Sequence, residues 1–175
     1  MPTTLPQSPS YATGPTLGVD LNNTFVVSSA TGDDSGYDNP PHAPGDLTLG
    51  VNGQLWMYVL AATAINQYDV LCIDKGGSAS QATNALASTG EYRPGFAQIA
   101  IANAAYAWVA LGGSVMINTA SSMTKDLQTY TSATAGVLAQ TSSSQTALTG
   151  GVADTTTTTA AAVPYNMVNP TWASL

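Results

Sequence analysis

Charge is scarce in this 175-residue chain: Lys, Arg, Asp and Glu make up 7% of it, against roughly 25% in an ordinary soluble domain. The bases are Lys75, Arg93 and Lys125, set against ten acids, for a net charge of −7. Neutralising phosphates takes clustered Lys and Arg, so the balance argues against nucleic acid and against an anionic membrane surface as partners. Cys72 is the only cysteine, which excludes an internal disulfide. In "YDVLCID" it reads as a small buried apolar side chain. His42, in "NPPHAPG", is the only histidine, and it reads as an exposed or interface residue. One His and one Cys do not make a zinc site of the usual nitrogen and sulfur ligands. Catalysis needs convergent acids, bases or nucleophiles, and the chain has few. No enzyme is expected, with no catalytic residue, cofactor or metal site.

One long uncharged run, "GFAQIAIANAAYAWVALGGSVMI" from Gly95 to Ile117, is long enough to cross a bilayer. Gln98, Asn103 and the Gly112-Gly113 pair interrupt it, and two strands around a turn fit it better. The start, "MPTTLPQSPS", lacks the basic and apolar regions of a secretory signal. Disorder wants low hydrophobicity and high charge, whereas 44% of this chain is hydrophobic. Its polar surface must come from Ser, Thr, Asn and Gln, which suits β-structure.

Residues 1–45 hold Pro2, Pro6, Pro9, Pro15, Pro40, Pro41 and Pro44, seven of the ten prolines. Proline blocks central strands and helix interiors, so this part reads as an extended arm. Its apolar positions Leu17, Val19, Leu21, Phe25 and Val27 are the candidate contacts with a partner. Burying the first four would contribute about 6–12 kcal/mol, at about 1.5–3 each. Ordering the backbone costs about 1–2 kcal/mol per residue. The arm is therefore expected to be loose alone and ordered only against another surface. "DDSGYDN", Asp33 to Asn39, offers three carboxylates and an amide to a hard cation. Its spacing is not that of an EF-hand, and a solvated acidic turn is the competing reading.

From Asp46 the pattern becomes short strands and turns, with Asn52-Gly53 as a hairpin signal. No segment keeps a helical period over eleven residues, although "ATNALAS" (82–88) fits one helical turn. "DKGGSAS" lacks the phosphate-loop spacing and reads as a hairpin turn, and "NNT" is a weak glycosylation match. Trp56, Tyr58 and Trp108 lie in strand-like runs and read as core, with a sugar-binding face as the alternative. The β region also repeats. A shift of 56 residues lays Gly95, Ala97, Ala104 and Ala105 over Gly151, Ala153, Ala160 and Ala161. Earlier, "AINQYDVLCID" resembles "SMTKDLQTYTS", with Asp69 against Asp126 and Val70 against Leu127. The units run from about 54 to 111 and from 112 to 168. On this alignment the run Thr155–Thr159 is a strand with its return, Thr being β-branched; the alternative is a flexible spacer. Pro164 and Pro170 bracket "YNMVN", expected to be an edge strand. The fold expected is all-β: a small barrel or sandwich built from a duplicated strand unit (46–175), preceded by the arm.

The quoted stretches, with "RPGFAQIAIANAAYAWVALGGSVMINTASSMTKDLQTYTSATAGVLAQ" and "LTGGVADTTTTTAAAVPYNMV", resemble the small capsid decoration, or cement, proteins of tailed bacteriophages. The resemblance covers about residues 54–168. It rests on Ile65 with Asp69 and Val70, Gly95 with Ala97, Met123 with Asp126, and Gly151 with Ala153. It implies a β-barrel-like domain, usually a homotrimer, on the outer capsid surface of a virion, where it clamps neighbouring major capsid protein subunits. The family brings no catalytic residues. The long arm departs from a minimal member. The rival expectations are a phage tail or fibre component, and a carbohydrate-binding β-module.

Overall fold

The computed structural model describes residues 20–26, 40–50, 54–120, 122–141 and 145–173. Twelve strands and one helical turn make up the described fold. The arm supplies β1 (Thr24–Val26), and β2 (Leu47–Leu49) follows just after it. The next five, β3 (Leu55–Ala61), β4 (Val70–Ile73), β5 (Ser78–Gln81), β6 (Arg93–Phe96) and β7 (Ala105–Ala110), close on themselves. β3 pairs antiparallel with β7 and parallel with β5, and β5–β4–β6–β7 completes the ring. The product is a small five-stranded barrel, with β1 laid on β7 and β2 on β3.

Successive side chains of a strand point to opposite faces, and on β3, β4 and β7 both faces are buried. On β3, Met57, Val59 and Ala61 join one apolar cluster with Leu71, Ile73, Ala79, Ala107 and Val109, inside the barrel. Trp56, Tyr58, Val70, Cys72, Phe96, Trp108 and Ala110 point the other way, into a second cluster. A five-stranded barrel is narrow, which accounts for the alanines at 79, 97, 105 and 107. The helical turn α1 (Asn84–Ala87) lies within 82–88, N-capped by Thr83, whose Oγ1 accepts the Leu86 N–H at 3.3 Å.

The second sheet holds β8 (Gly113–Asn118), β9 (Thr129–Thr131), β10 (Leu138–Ala139), β11 (Ala147–Ala153) and β12 (Ala162–Ala173), in the order β10-β9-β11-β12-β8. A parallel bridge from Thr119 to Leu138 brings its two edge strands together. Its pairings follow those of the barrel. Val59 faces Ala107 as Ile117 faces Val163. Ile73 faces Ala79 as Thr131 faces Leu138. Phe96 faces Ala110 as Val152 faces Asn166. Tyr68, with φ 69°, donates to Ala97 O at 2.8 Å, and Asp126, with φ 63°, donates to Ala153 O at 3.1 Å. Asp126 thus takes the structural place of Tyr68 rather than of Asp69.

Three expectations need correction. Thr155–Thr159 is not a strand: β11 ends at Ala153, β12 begins at Ala162, and between them Thr157 makes a single bridge to Met123. The hydroxyls compete with the ladder, since Thr156 Oγ1 accepts the Lys125 N–H at 3.1 Å and Thr157 Oγ1 the Met123 N–H at 3.2 Å. "YNMVN" is not at an edge, because β12 lies between β11 and β8. Pro164 sits where the ladder to β11 ends, accepting from Asp154 N at 3.0 Å with no N–H to return. The described part of the arm, finally, orders on the chain's own barrel. Gly45 N donates to Tyr58 O at 2.7 Å, Tyr58 N donates to Asp46 O at 2.8 Å, and β1 pairs with β7.

Gly95 and Gly151, matched by sequence, share one structural reason. A Cβ at Gly95 would lie 2.5 Å from Ile73 Cδ1, the movable end of a side chain. At Gly151 it would fall onto Cε1 of the Tyr165 ring, with Tyr165 Cζ and Met167 Cγ both at 3.0 Å. That ring cannot swing aside: it is fully buried, and its hydroxyl is 2.6 Å from Thr129 Oγ1. Gly151→Ala should cost about 1–3 kcal/mol through overpacking, and Gly95→Ala less. Urea midpoints of the two variants check the order.

Candidate docking surface

The candidate arm contacts are not brought together. Leu21 is buried in the chain's own core, and Phe25 packs against Tyr106 with ring centroids 6.4 Å apart. Leu17, Val19 and Val27 lie outside the described residues, as does the acidic stretch 33–39. His42 is half-buried, its ring 5.3 Å from Tyr58 and 5.0 Å from Trp108, both centroid to centroid. Beneath it is a cavity of about 120 Å³ walled by Asp20, Asn23, Phe25, Tyr58 and Trp108. Burial, with Tyr106 adding to it, pushes the Tyr58 phenol up to about 12. Cys72 is wholly buried, and burial pushes its thiol up to about 12, which makes it a packing residue. Among the described residues no three His, Cys, Asp or Glu side chains gather as metal ligands. No helix there is long and apolar enough to cross a membrane.

The open mouth of the barrel forms a groove of about 670 Å³. Its floor is apolar: Leu55, Met57, Ile73 and Leu111, at the ends of β3, β4 and β7. The β4–β5 turn places Asp74 and Lys75 on one rim, and the segment entering β6 places Glu91, Tyr92 and Arg93 on the other. Asp74 is tied into its turn, Oδ1 accepting from Gly76 N at 2.8 Å and Ser78 N at 2.9 Å. The far wall is the end of β12, Asn169 to Trp172. A bulge sets that wall: the β11–β12 register shifts between Thr149 and Gly151, with Gly150 at φ 77° and Asn169 at φ 49°. A Cβ at Gly150 would lie 2.6 Å from Val168 O, so glycine is required there.

Beside the groove runs β2, the last strand of its sheet, paired on one side with β3. Thr48 points inward at 8% exposed, while Leu47 and Leu49 stand 54% and 51% exposed. Directly opposite strand residues share a face, so Leu47 opposite Met57 and Leu49 opposite Leu55 extend the apolar floor onto the edge strand. Sequence reasoning missed this surface. Its parts come from distant turns and strand ends, and the one available signal was the placing of Lys75 and Arg93 in two separate turn regions.

The equivalent edge of the second sheet is covered by side chains. Met116 stands to β8 as Tyr58 stands to β3, and there the Gln98 amide replaces the arm backbone. Its Oε1 accepts Met116 N–H at 3.0 Å and its Nε2 donates to Met116 O at 3.1 Å. Gln54 Nε2 donates to Ser114 O at 2.7 Å. Comparison with protein-family models, with curated proteins and with solved structures finds no match for this chain.

Proposed function

We propose that this chain is a structural adhesive of a virion, a capsid decoration protein that binds the outer surface of a phage shell and stabilises contacts between major capsid subunits. The sequence resemblance over residues 54–168 points to that family. The observation that carries the docking role is the apolar groove at the barrel mouth, continued by the two half-exposed leucines of β2, Leu47 and Leu49. Contiguous exposed apolar surface of this kind marks an interaction site. A sugar-binding module would need exposed aromatics, whereas Trp56, Tyr58 and Trp108 are 0%, 2% and 3% exposed.

The reading includes a tandem duplication: β3 to β7 and β8 to β12 are one strand unit used twice, which the matched register pairs support. The copies differ where an array would continue. The first turns Val70, Cys72 and Phe96 into the shared core, and the second has Gln128, Tyr130 and Val152 at those positions. An exposed or half-exposed outer face there ends the array at two units. Attachment to a shell then uses another surface, and a homotrimer would repeat it three times. Weak contacts gain from such repetition.

The test is reconstitution on shells stripped of their decoration. The protein should co-sediment with the shells, and image reconstruction should place it at three-fold positions of the lattice. Density confined to a vertex or tail would replace this reading with that of a fibre component. Solution mass separates trimer from monomer.

A further inference from the structure

We infer that the face of the first unit now covered by residues 44–46, where the arm meets the barrel, is the seat for the second unit of another copy of this chain. Copies dock head to tail when that segment lifts. This rests on the reading of the chain as one strand unit used twice, and it does not depend on shell binding.

The contact between the units inside one chain is the template. The second unit receives the first at β8 and at the turn before β10. Gln98 holds the main chain of Met116, its Oε1 accepting the N–H at 3.0 Å and its Nε2 donating to the O at 3.1 Å. Asp69 Oδ1 accepts from Asn118 Nδ2 at 3.1 Å. Gly136, at φ 76°, leaves room for Asp69, since a Cβ there would lie 2.6 Å from Asp69 Cγ.

The first unit has the same features, and segment 44–46 occupies them. By the register pairs, Met116, Asn118 and Gly136 correspond to Tyr58, Leu60 and Gly77. Tyr58 N–H donates to Asp46 O at 2.8 Å and Tyr58 O accepts from Gly45 N at 2.7 Å, the bonds that Gln98 makes to Met116. Gly77, at φ 79°, leaves room for the segment in turn: a Cβ there would lie 2.7 Å from Gly45 N and 2.8 Å from Pro44 C. Residues 44–46 therefore stand where a preceding unit would stand.

The second unit's counterparts of Asp69 and Gln98 are Leu127 and Asp154. Leu127 is 51% exposed, and the residue it would meet is Leu60, the counterpart of Asn118. A polar pair inside the chain, Asp69 with Asn118, thus becomes an apolar pair between copies. The Asp154 carboxylate would accept the Tyr58 N–H. A change matched on both sides of one contact selects a second copy as the occupant. The contact between copies is the weaker one. Gln128 and Tyr130 replace Val70 and Cys72 on that face. Leu60 N–H is already bonded to Gly77 O at 3.0 Å, whereas Asn118 N–H bonds Tyr68 O of the other unit at 2.8 Å. Displacing the arm also reduces the apparent affinity. Head-to-tail docking is heterologous, so it closes into a ring or runs on as a filament.

Gly45→Pro in the full chain unseats the segment: proline has no N–H for Tyr58 O and cannot take the φ of 97° found at Gly45. Sedimentation equilibrium is the readout. The variant should associate beyond the wild-type mass at roughly 100 µM, at least tenfold more tightly than the wild type does by this route. Adding Leu127→Asp, at an exposed position, should abolish the increase. A Gly45→Pro protein that keeps the wild-type mass up to about 1 mM overturns the proposal. So does association that survives Leu127→Asp, and so do concentration-dependent amide NMR shifts that miss Leu60, Gly77 and Leu127. Unchanged shifts at Val59, Ile73 and Ala107 show that the variant is folded. Where it is not, the wild type decides. Exchange of its Gly45 amide proton should quicken several-fold from dilute to millimolar protein, because docking captures the lifted arm. A rate independent of concentration overturns the proposal. Strand registers measured by NMR test the repeat reading separately. Pairs other than those given above would end that reading and the proposal with it, whereas failure of the mass and exchange tests alone leaves the reading intact.

Discussion

Asp69→Ala should lower stability by about 3 kcal/mol or more, a large share of the 5–15 kcal/mol that holds an ordinary domain together. Asp69 is 1% exposed, and neutral donors hold it. Its Oδ2 accepts from Asn66 N at 2.8 Å and Gln81 Nε2 at 2.5 Å, and its Oδ1 accepts from Asn118 Nδ2 at 3.1 Å. Asn66 closes the turn before β4, Gln81 ends β5, and Asn118 ends β8. One side chain therefore joins the barrel to the second sheet. Truncation orphans the Asn66 N–H and Gln81 Nε2 and costs Asn118 Nδ2 one of its two bonds, the other going to Gln67 O at 2.8 Å; a buried donor without a partner costs about 1–3 kcal/mol. Water relieves the exposed Asn66 but not the half-buried Gln81. Asp69→Asn keeps the shape and turns one acceptor into a donor facing a donor, so it should fall between wild type and Ala. Urea midpoints at unchanged m-value measure the order. An Ala variant within 1 kcal/mol of wild type would refute this role. A double-mutant cycle with Asn118→Ala should return a coupling of about 0.5–3 kcal/mol.

Strands β3, β4 and β7 of the barrel were legible because each is a short, nearly continuous apolar run, as in "LWMYVLA" and "AYAWVA". β2 and β3 pair antiparallel, with Leu49 opposite Leu55, while the Asn52-Gly53 turn itself lies outside the described residues. Gly95 and Gly151 were legible as a pair, since the lack of a side chain at a crowded seam leaves a mark in the sequence. The threonine run was not legible. A Thr hydroxyl serves a ladder or a loop according to which N–H groups lie near it, and those of Met123 and Lys125 arrive from some thirty residues away. The described part of the arm orders on the barrel for a different reason. Counting a few buried side chains against backbone entropy omits the ladder that Thr24 to Val26 makes with β7, and the bonds of Gly45 and Asp46 to Tyr58. It also omits the lower unfolded-state entropy of a proline-rich chain. Asp69 itself was read as a repeat marker, because sequence spacing says nothing of Gln81 and Asn118 meeting it.

Alkaline pH should unfold this protein well before ordinary phenols alone would account for it. Burial pushes the Cys72 thiol from 9.0 up to about 12, and the Tyr165 phenol from 10.0 up to about 12 against a smaller pull from Thr129. Both groups are neutral when protonated, so the fold holds their protons and the unfolded chain releases them first. Stability falls with pH wherever the folded state binds more protons. The contribution is therefore complete below about pH 9 for Cys72 and about pH 10 for Tyr165, and is lost as pH climbs to about 12. At about 1.4 kcal/mol per pH unit, that is roughly 4 kcal/mol from the thiol and 3 from the phenol. Urea midpoints taken stepwise from pH 8 upward should stay level, then drop steeply. Cys72→Ala should flatten the first part of the drop and Tyr165→Phe the later part, although each starts from a lower midpoint. The phenylalanine variant loses the Thr129 hydrogen bond, worth about 0.5–1.5 kcal/mol. A wild-type midpoint that held level to about pH 11 would mean that the unfolded chain keeps these groups as shielded as the fold does, contrary to their burial at the junction of the two sheets.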